Sequence, residues 1–214
     1  MEFLPKKIDD YACLHSQEEN QVLKDLNRET WAKVLIPRML SGHLQGRTLS
    51  MFSKMIKPKN ILEIGTYTGY SAICLCEGLE ENGKLHTIDI NEELKEISSK
   101  YFKKANIEDK VEQHIGNAME IIPGLDLTWD LVFIDADKEN YSNYFDLVID
   151  KMALGGFLVA DNVLWSGKVV EPISEKDMET KEIINFNDKI HQSDRVENVL
   201  MPIRDGLMVC RKIK

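Results

Sequence analysis

The sequence predicts a doubly wound α/β fold with a mostly parallel seven-stranded sheet, an antiparallel last strand and extra N-terminal helices. Three observations lead there. Short apolar runs rich in β-branched residues alternate with amphipathic stretches of helical period, as parallel strands joined by crossover helices require. Three of the four clearest runs end in an acid, at Asp89, Asp135 and Asp161. The chain closes on two strands joined by the tight turn Arg204-Asp205-Gly206, a hairpin that reverses the last strand.

Residues 16–36 and 46–56 read as helices, so about a quarter of the chain precedes the sheet and lies over it or at a partner interface. Strand 60–64 follows, then a helix over 70–79, strand 85–89 and a helix over 91–105 with Asn91 placed as its N-cap. Strand 111–115 leads to strand 131–135, a helix over 140–151 capped by Asn140, and strand 157–161. A long polar segment, 166–192, separates these from the closing strands 196–203 and 206–211. With no repeat or low-complexity tract, 1–214 reads as one domain, 1–58 being a helical cap and 59–214 the core.

The 214 residues carry 27 Lys+Arg against 36 Asp+Glu, a formal net charge of −9, and are 43% hydrophobic. That composition builds one sizeable core and disfavours a duplex nucleic-acid partner, which calls for a basic face. Residues 1–10 mix Lys6, Lys7, Asp9 and Asp10 with a few apolar side chains, unlike a signal peptide, and no stretch is apolar enough to span a bilayer. Cys13, Cys74, Cys76 and Cys210 are scattered, and the Cys74-Leu75-Cys76 pair has no second pair to complete a zinc site. They read as reduced, mostly buried thiols of a cytoplasmic protein.

The first strand ends in Glu63-Ile64-Gly65-Thr66-Tyr67-Thr68-Gly69-Tyr70-Ser71. Its Gly-x-x-x-Gly spacing lets a ligand approach the backbone at a helix N-terminus but lacks the middle glycine that a dinucleotide pyrophosphate needs. Glu63 suits a ligand with a positive end. Asp89, 24 residues beyond Gly65, stands where such sheets hold ribose hydroxyls. Gly116-Asn117-Ala118 borders the same crevice, where an amide and a small side chain meet an adenine edge. Together these point to S-adenosylmethionine rather than a phosphate-rich nucleotide.

Asp135 and the pair Asp161-Asn162 end neighbouring strands, so three oxygen donors converge. Hard donors without Cys or His select Mg²⁺, Ca²⁺ or Mn²⁺ over Zn²⁺. Lys138 lies three residues past Asp135, where a divalent cation would disfavour the ammonium form and make the amine a general base; without the metal it reads as a solvated surface lysine. Among the histidines, none at ligand spacing, His86 and His114 read as core or sheet-face residues. The charge run 175–182 reads as a solvated helix face, and Trp165 as a wall of a substrate pocket or a buried aromatic.

These residues resemble the cation-dependent class I S-adenosylmethionine O-methyltransferases, the caffeoyl-CoA and catechol O-methyltransferase group, in the manner of a bacterial member. The resemblance covers nearly the whole chain. It rests on the 63–71 motif, on Ile134-Asp135-Ala136-Asp137-Lys138 followed by Asn140-Tyr141, on Ala160-Asp161-Asn162-Val163-Leu164-Trp165-Ser166-Gly167, and on Pro202-Ile203-Arg204-Asp205-Gly206-Leu207. It implies a Rossmann-like methyltransferase fold in which Asp135, Asp161 and Asn162 hold the metal and Lys138 is the base. It also implies a cofactor site of Glu63, Gly65, Tyr67, Ser71, Asp89, Ala118 and Asp135, with Met39 and Ser41 closing over the methionine end. Asn117 replaces the acid often found at its position. Segment 166–192 would shape the acceptor site, and the family's homodimers would bury the N-terminal helices.

The implied reaction is in-line displacement at the sulfonium methyl by a catechol-type oxygen, the acceptor being a small aromatic vicinal diol that chelates the metal while Lys138 takes its proton. Three rivals stand beside it. A tRNA methyltransferase conflicts with the −9 charge. A non-catalytic S-adenosylmethionine-binding domain would not need Lys138 beside metal ligands, and a nicotinamide oxidoreductase would need the missing glycine.

Overall fold

The computed structural model describes residues 5–214, so Met1–Leu4, part of the 1–10 stretch read above, lie outside the described residues. Seven strands form the mostly parallel α/β sheet that the sequence predicts. Two compact units divide the chain, one of Lys7–Ala118 and one built on Met119–Lys214.

The first unit carries α1 (Lys6–Leu14), α2 (Gln21–Lys33), α3 (Gly42–Ile56), β1 (Asn60–Ile64), α4 (Tyr70–Cys76), β2 (Lys84–Asp89), α5 (Lys95–Lys104) and β3 (Val111–Ile115). Its strands lie in the order β3-β2-β1, all parallel, with Ile64 opposite Ile88 and Asp89 opposite Ile115. Asn20 caps α2 by accepting the Leu23 N–H at 3.0 Å, and Leu23, Leu26 and Thr30 form its buried stripe. Helices α3 and α4 meet backbone to backbone. A Cβ on Gly78 would stand 2.1 Å from the Ser53 carbonyl carbon, and one on Gly46 would stand 2.5 Å from the Tyr70 ring. The Ser53 hydroxyl uses that approach to donate to the Leu75 carbonyl at 2.6 Å. Arg47, Ser50 and Lys54 of α3 all donate to Glu77 at the end of α4.

The second unit carries α6 (Ala118–Gly124), which begins at the boundary, then β4 (Trp129–Ile134), α7 (Tyr141–Ile149), β5 (Met152–Asp161), α8 (Met178–Gln192), β6 (Val196–Met201) and β7 (Leu207–Lys212). Its strands run in the order β4-β5-β7-β6, with β4 and β5 parallel. Strand β7 is antiparallel to both neighbours, with Leu207 opposite Asp161 and Met201. The hairpin read from 204–206 therefore stands.

Several boundaries differ from the sequence reading. Helix α1 falls where no helix was expected; it has no buried residue, so no core-facing stripe marks it. Helix α3 starts at Gly42 rather than 46. The polar segment 166–192 contains α8, whose Thr180, Ile183, Phe186 and Ile190 are buried at spacings of three and four. Charged residues crowd the other faces and hide that stripe. Asn91 does cap, accepting the Glu93 N–H at 3.0 Å. Asn140 occupies the N-cap position of α7 but makes no side-chain cap bond; its amide donates instead to Asp137 Oδ2.

Candidate active site

In the Lys7–Ala118 unit the strand tips β1 and β2 are locked to the loop between them. Gly65 and Gly69 take φ of 104° and 89°, values open to glycine and costly for other residues. The Gly65 N–H donates to the Ile88 carbonyl at 2.9 Å. Asp89 uses both carboxylate oxygens on backbone: Oδ2 accepts the Tyr67 N–H at 2.6 Å and Oδ1 the Asn91 N–H at 2.8 Å. The residue read as a ribose acid is thus also the clamp of the glycine loop. Each carboxylate oxygen has a second lone pair for a ligand.

Glu63 is completely buried, and its Oε2 accepts the Thr87 hydroxyl at 2.5 Å. Thr87 shares a further 2.5 Å hydrogen bond with Thr66, so the acid sits at the end of a hydroxyl relay under the loop. Tyr67 itself has φ of 49°, and its hydroxyl reaches the Leu35 and Ile36 carbonyls at 3.4 and 3.3 Å. That contact ties the 35–41 segment to the loop. There Met39 is exposed and Ser41 buried. Ser71 is buried in the first turn of α4, Ala118 is buried, and Asn117 is exposed. Of the residues named for the cofactor, Gly65, Tyr67 and Asp89 are joined by hydrogen bonds at the tips of β1 and β2.

The Met119–Lys214 unit holds a second cluster. Lys138, itself buried, lies in the short turn between β4 and α7, and its ammonium donates to Tyr141 Oη at 2.6 Å, Asn162 Oδ1 at 2.7 Å and Asp135 Oδ1 at 3.3 Å. Tyr141 donates in turn to the Asp161 carbonyl at 3.1 Å. Asp161 Oδ1 accepts the Asn162 N–H at 2.7 Å, and Asn162 is left-handed with φ of 58°. All four predicted residues, Asp135, Lys138, Asp161 and Asn162, therefore belong to one hydrogen-bond network. Burial, together with the nearby Asp135 and Asp161 charges, holds the Tyr141 phenol well above its ordinary range, so it keeps its proton.

Among the described residues no group of three His, Cys, Asp or Glu side chains gathers as a metal site. Two carboxylates, Asp135 and Asp161, are what this cluster offers, so the third protein ligand would have to be the Asn162 amide. The donor set passes the chemical test for a hard cation, because every oxygen is hard and a cationic group, the Lys138 ammonium, already rests on two of them. Asp137 makes other contacts, its two oxygens accepting from Tyr144 and Asn140.

Three features escaped the sequence reading. Tyr141 was noticed only inside a motif; no pattern in a single sequence distinguishes its hydroxyl from that of any core tyrosine. Asn187 of α8 donates to the Val163 carbonyl at 2.8 Å, bracing the turn after Asn162. Asp205 accepts the Ser166 N–H at 2.5 Å while its carbonyl takes the Leu164 N–H at 2.9 Å. Those bonds hold Trp165 and Ser166 in the left-handed region, at φ of 46° and 54°. The Trp165 ring centroid lies 5.7 Å from Lys138 Nζ. His86 and His114 are stacked on the sheet face with a 3.2 Å nitrogen–nitrogen contact, in keeping with the sheet-face reading. Among the described residues Cys13, Cys74, Cys76 and Cys210 form no disulfide, and all but Cys13 are buried.

Residues 14–213 match the model of a family described as O-methyltransferase. The chain belongs to that family. This O-methyltransferase is 34% identical over 210 residues to the caffeoyl-CoA O-methyltransferase of Medicago sativa, across 92% of the chain and 83% of the relative. It is equally 34% identical over 209 residues to caffeoyl-CoA O-methyltransferase 5 of Nicotiana tabacum, across 91% and 85%. Among solved structures it resembles the O-methyltransferase TomG of Streptomyces achromogenes, solved with SAM, at 26% identity and a TM-score of 0.88 over 97% of this chain and 96% of that one. The Bacillus cereus O-methyltransferase, solved with SAH, gives 27% and 0.89 over 96% and 97%.

Proposed function

We propose that this O-methyltransferase moves the methyl group of S-adenosylmethionine to a hydroxyl of a small catechol- or caffeoyl-type acceptor, with a divalent cation, Mg²⁺ first and Ca²⁺ or Mn²⁺ as alternatives. The observation that carries the reading is the Lys138 network. Lys138 Nζ is anchored by Asp135, Asn162 and Tyr141, and Tyr141 ties it to the backbone of Asp161. The membership of the family and the two caffeoyl-CoA relatives support the acceptor class.

In this reading Asp135, Asp161 and Asn162 hold the cation, which when bound supplies Lewis-acid polarisation of the acceptor hydroxyl. Lys138 takes the hydroxyl proton on Nζ, and the loop fixed by Asp89 and Gly65 orients the cofactor, with Glu63, Tyr67, Ser71, Asn117, Ala118, Asp135, Met39 and Ser41 around it. Charge is consumed when a phenolate meets a sulfonium. The chain's contribution is accordingly alignment and deprotonation, and no side chain is needed as a nucleophile.

No described helix is long and apolar enough to cross a membrane. We place the enzyme in the cytoplasm as a homodimer, a reading favoured by the exposed Ile8, Tyr11, Leu14, Trp31 and Leu35 of its N-terminal region. Light scattering reads the oligomeric state. The test of the activity is a methyl-transfer panel of catechols, caffeoyl thioesters, flavonoids and tRNA, each with and without chelator. Transfer to vicinal diols that chelator abolishes is the expected result; transfer to monophenols at equal rate, or indifference to chelator, overturns the cation-dependent reading.

A further inference from the structure

Lys138 has three hydrogen-bond partners, and they are not equivalent. Asp135 and Asn162 are two of the oxygens proposed above for the cation; Tyr141 is not. An ammonium has donors only, so the Tyr141 oxygen accepts from it, and the phenol's own hydrogen points to the Asp161 carbonyl. The ring is completely buried and meets Phe186 of α8 edge-on at 5.4 Å, which leaves the hydroxyl little freedom to follow a moving lysine.

We propose that Tyr141 is the positioning residue of Lys138, the anchor that keeps its amine in place once a cation draws the Asp135 and Asn162 oxygens away. The inference rests on the reading of those residues given above. The fixed point is the backbone of β5 at Asp161, and Tyr141 transmits it across 2.6 and 3.1 Å contacts to Lys138 Nζ. The side chain of Lys138 is only 8% exposed, so its reactivity toward a reagent in solution reports how firmly it is held.

The test compares wild type with Tyr141→Phe, which keeps the ring on Phe186 and removes the hydroxyl alone. Limited acylation followed by peptide mass spectrometry reads the labelling rate of each lysine, with and without Mg²⁺. In wild type Mg²⁺ should leave Lys138 protected. In Tyr141→Phe with Mg²⁺ it should label faster by about three- to tenfold, the span one hydrogen bond supplies. Lys151 and Lys212, held by backbone carbonyls elsewhere in the same unit, should not change. Equal Lys138 labelling in the two proteins, or acceleration at all three lysines alike, overturns the proposal. In turnover, Tyr141→Phe should lower kcat with the S-adenosylmethionine affinity unchanged, and should add nothing on a Lys138→Ala background; a further drop there overturns it as well. Failure of the base reading shows separately, as a Lys138→Ala enzyme of undiminished rate, while the labelling comparison still judges the anchor.

Discussion

Lys138 Nζ stands 2.7 Å from Asn162 Oδ1, across 24 residues of chain, and the asparagine presents that oxygen from a left-handed backbone. A positive group therefore already sits against the Asn162 amide oxygen and the Asp135 carboxylate. In the proposed reading lysine and cation compete for the Asp135 and Asn162 oxygens.

Asp161→Ala should leave the fold largely intact and abolish Mg²⁺-dependent transfer, since two remaining ligands hold a hard cation poorly. Activity assays across a Mg²⁺ titration check it. Full activity in the variant, or wild-type activity indifferent to EDTA, removes the cation from the mechanism.

Lys138→Ala should lower the rate by about 10²–10⁴, the usual worth of a placed acid–base group, while S-adenosylmethionine still binds. Raising the pH should partly restore the variant, because a catechol can give its proton to hydroxide as its own ionisation is approached. If the rate falls with no rescue by pH, the lysine places the substrate and is not its base.

Asp89→Ala should weaken S-adenosylmethionine binding by about 1–3 kcal/mol in calorimetry, the cost of stranding groups that had a charged partner. Because Asp89 also holds the Tyr67 N–H, Asp89→Asn is the informative companion. It keeps an acceptor for the loop and loses the charge. Unchanged affinity in both variants would reduce Asp89 to a clamp.

Glu77 carries a pH dependence of stability. Burial raises its carboxyl, but the hydrogen bonds from Arg47, Lys54 and Ser50 outweigh that and bring it from 4.5 down to about 2. A folded-state value below the unfolded one stabilises above pH 4.5, and that stability drains away as pH falls toward 2. The full shift is worth about 3 kcal/mol; partial exposure and salt reduce it to about 1–2 kcal/mol. Urea unfolding should show Glu77→Gln less stable at pH 7 by about that amount, with the gap closing in acid. A gap independent of pH would mean that the carboxylate charge is immaterial.

Asp205→Ala should release the left-handed pair Trp165–Ser166 at a cost of about 1 kcal/mol and raise KM for the acceptor while cofactor affinity holds. Trp165 fluorescence, with Trp165→Phe as the blank, reports the release. Unchanged emission and KM would show that the turn holds itself.

Three strands announce themselves twice, by apolar runs and by Asp89, Asp135 and Asp161 at their tips, while 60–64 and 111–115, without such an acid, still match β1 and β3 to the residue. Asp135, Lys138, Asp161 and Asn162, which share one hydrogen-bond network, stood out in the sequence by residue type and by their place at or just past strand ends. Tyr141, Asn187 and Asp205 did not, since each acts through a backbone group or a neighbour distant in sequence. Nothing local records that Asp205 faces Ser166, 39 positions earlier. Helix α8 was hidden for a different reason, its buried stripe being only four residues wide among charges.

The near-contact of α3 and α4 at Gly46 and Gly78 has a consequence for anyone who would shorten or recombine this chain. A truncated protein begun at the first strand would strip the cover from Tyr70, Cys74 and Leu75, and Glu77 would lose Arg47, Ser50 and Lys54 together. In the intact protein any side chain at Gly78 would run into the Ser53 and Lys54 backbone. Grafting another member's leading helices would succeed only if the donor brings an equally close glycine contact, so the leading helices and the loop-bearing helix are to be inherited as a pair.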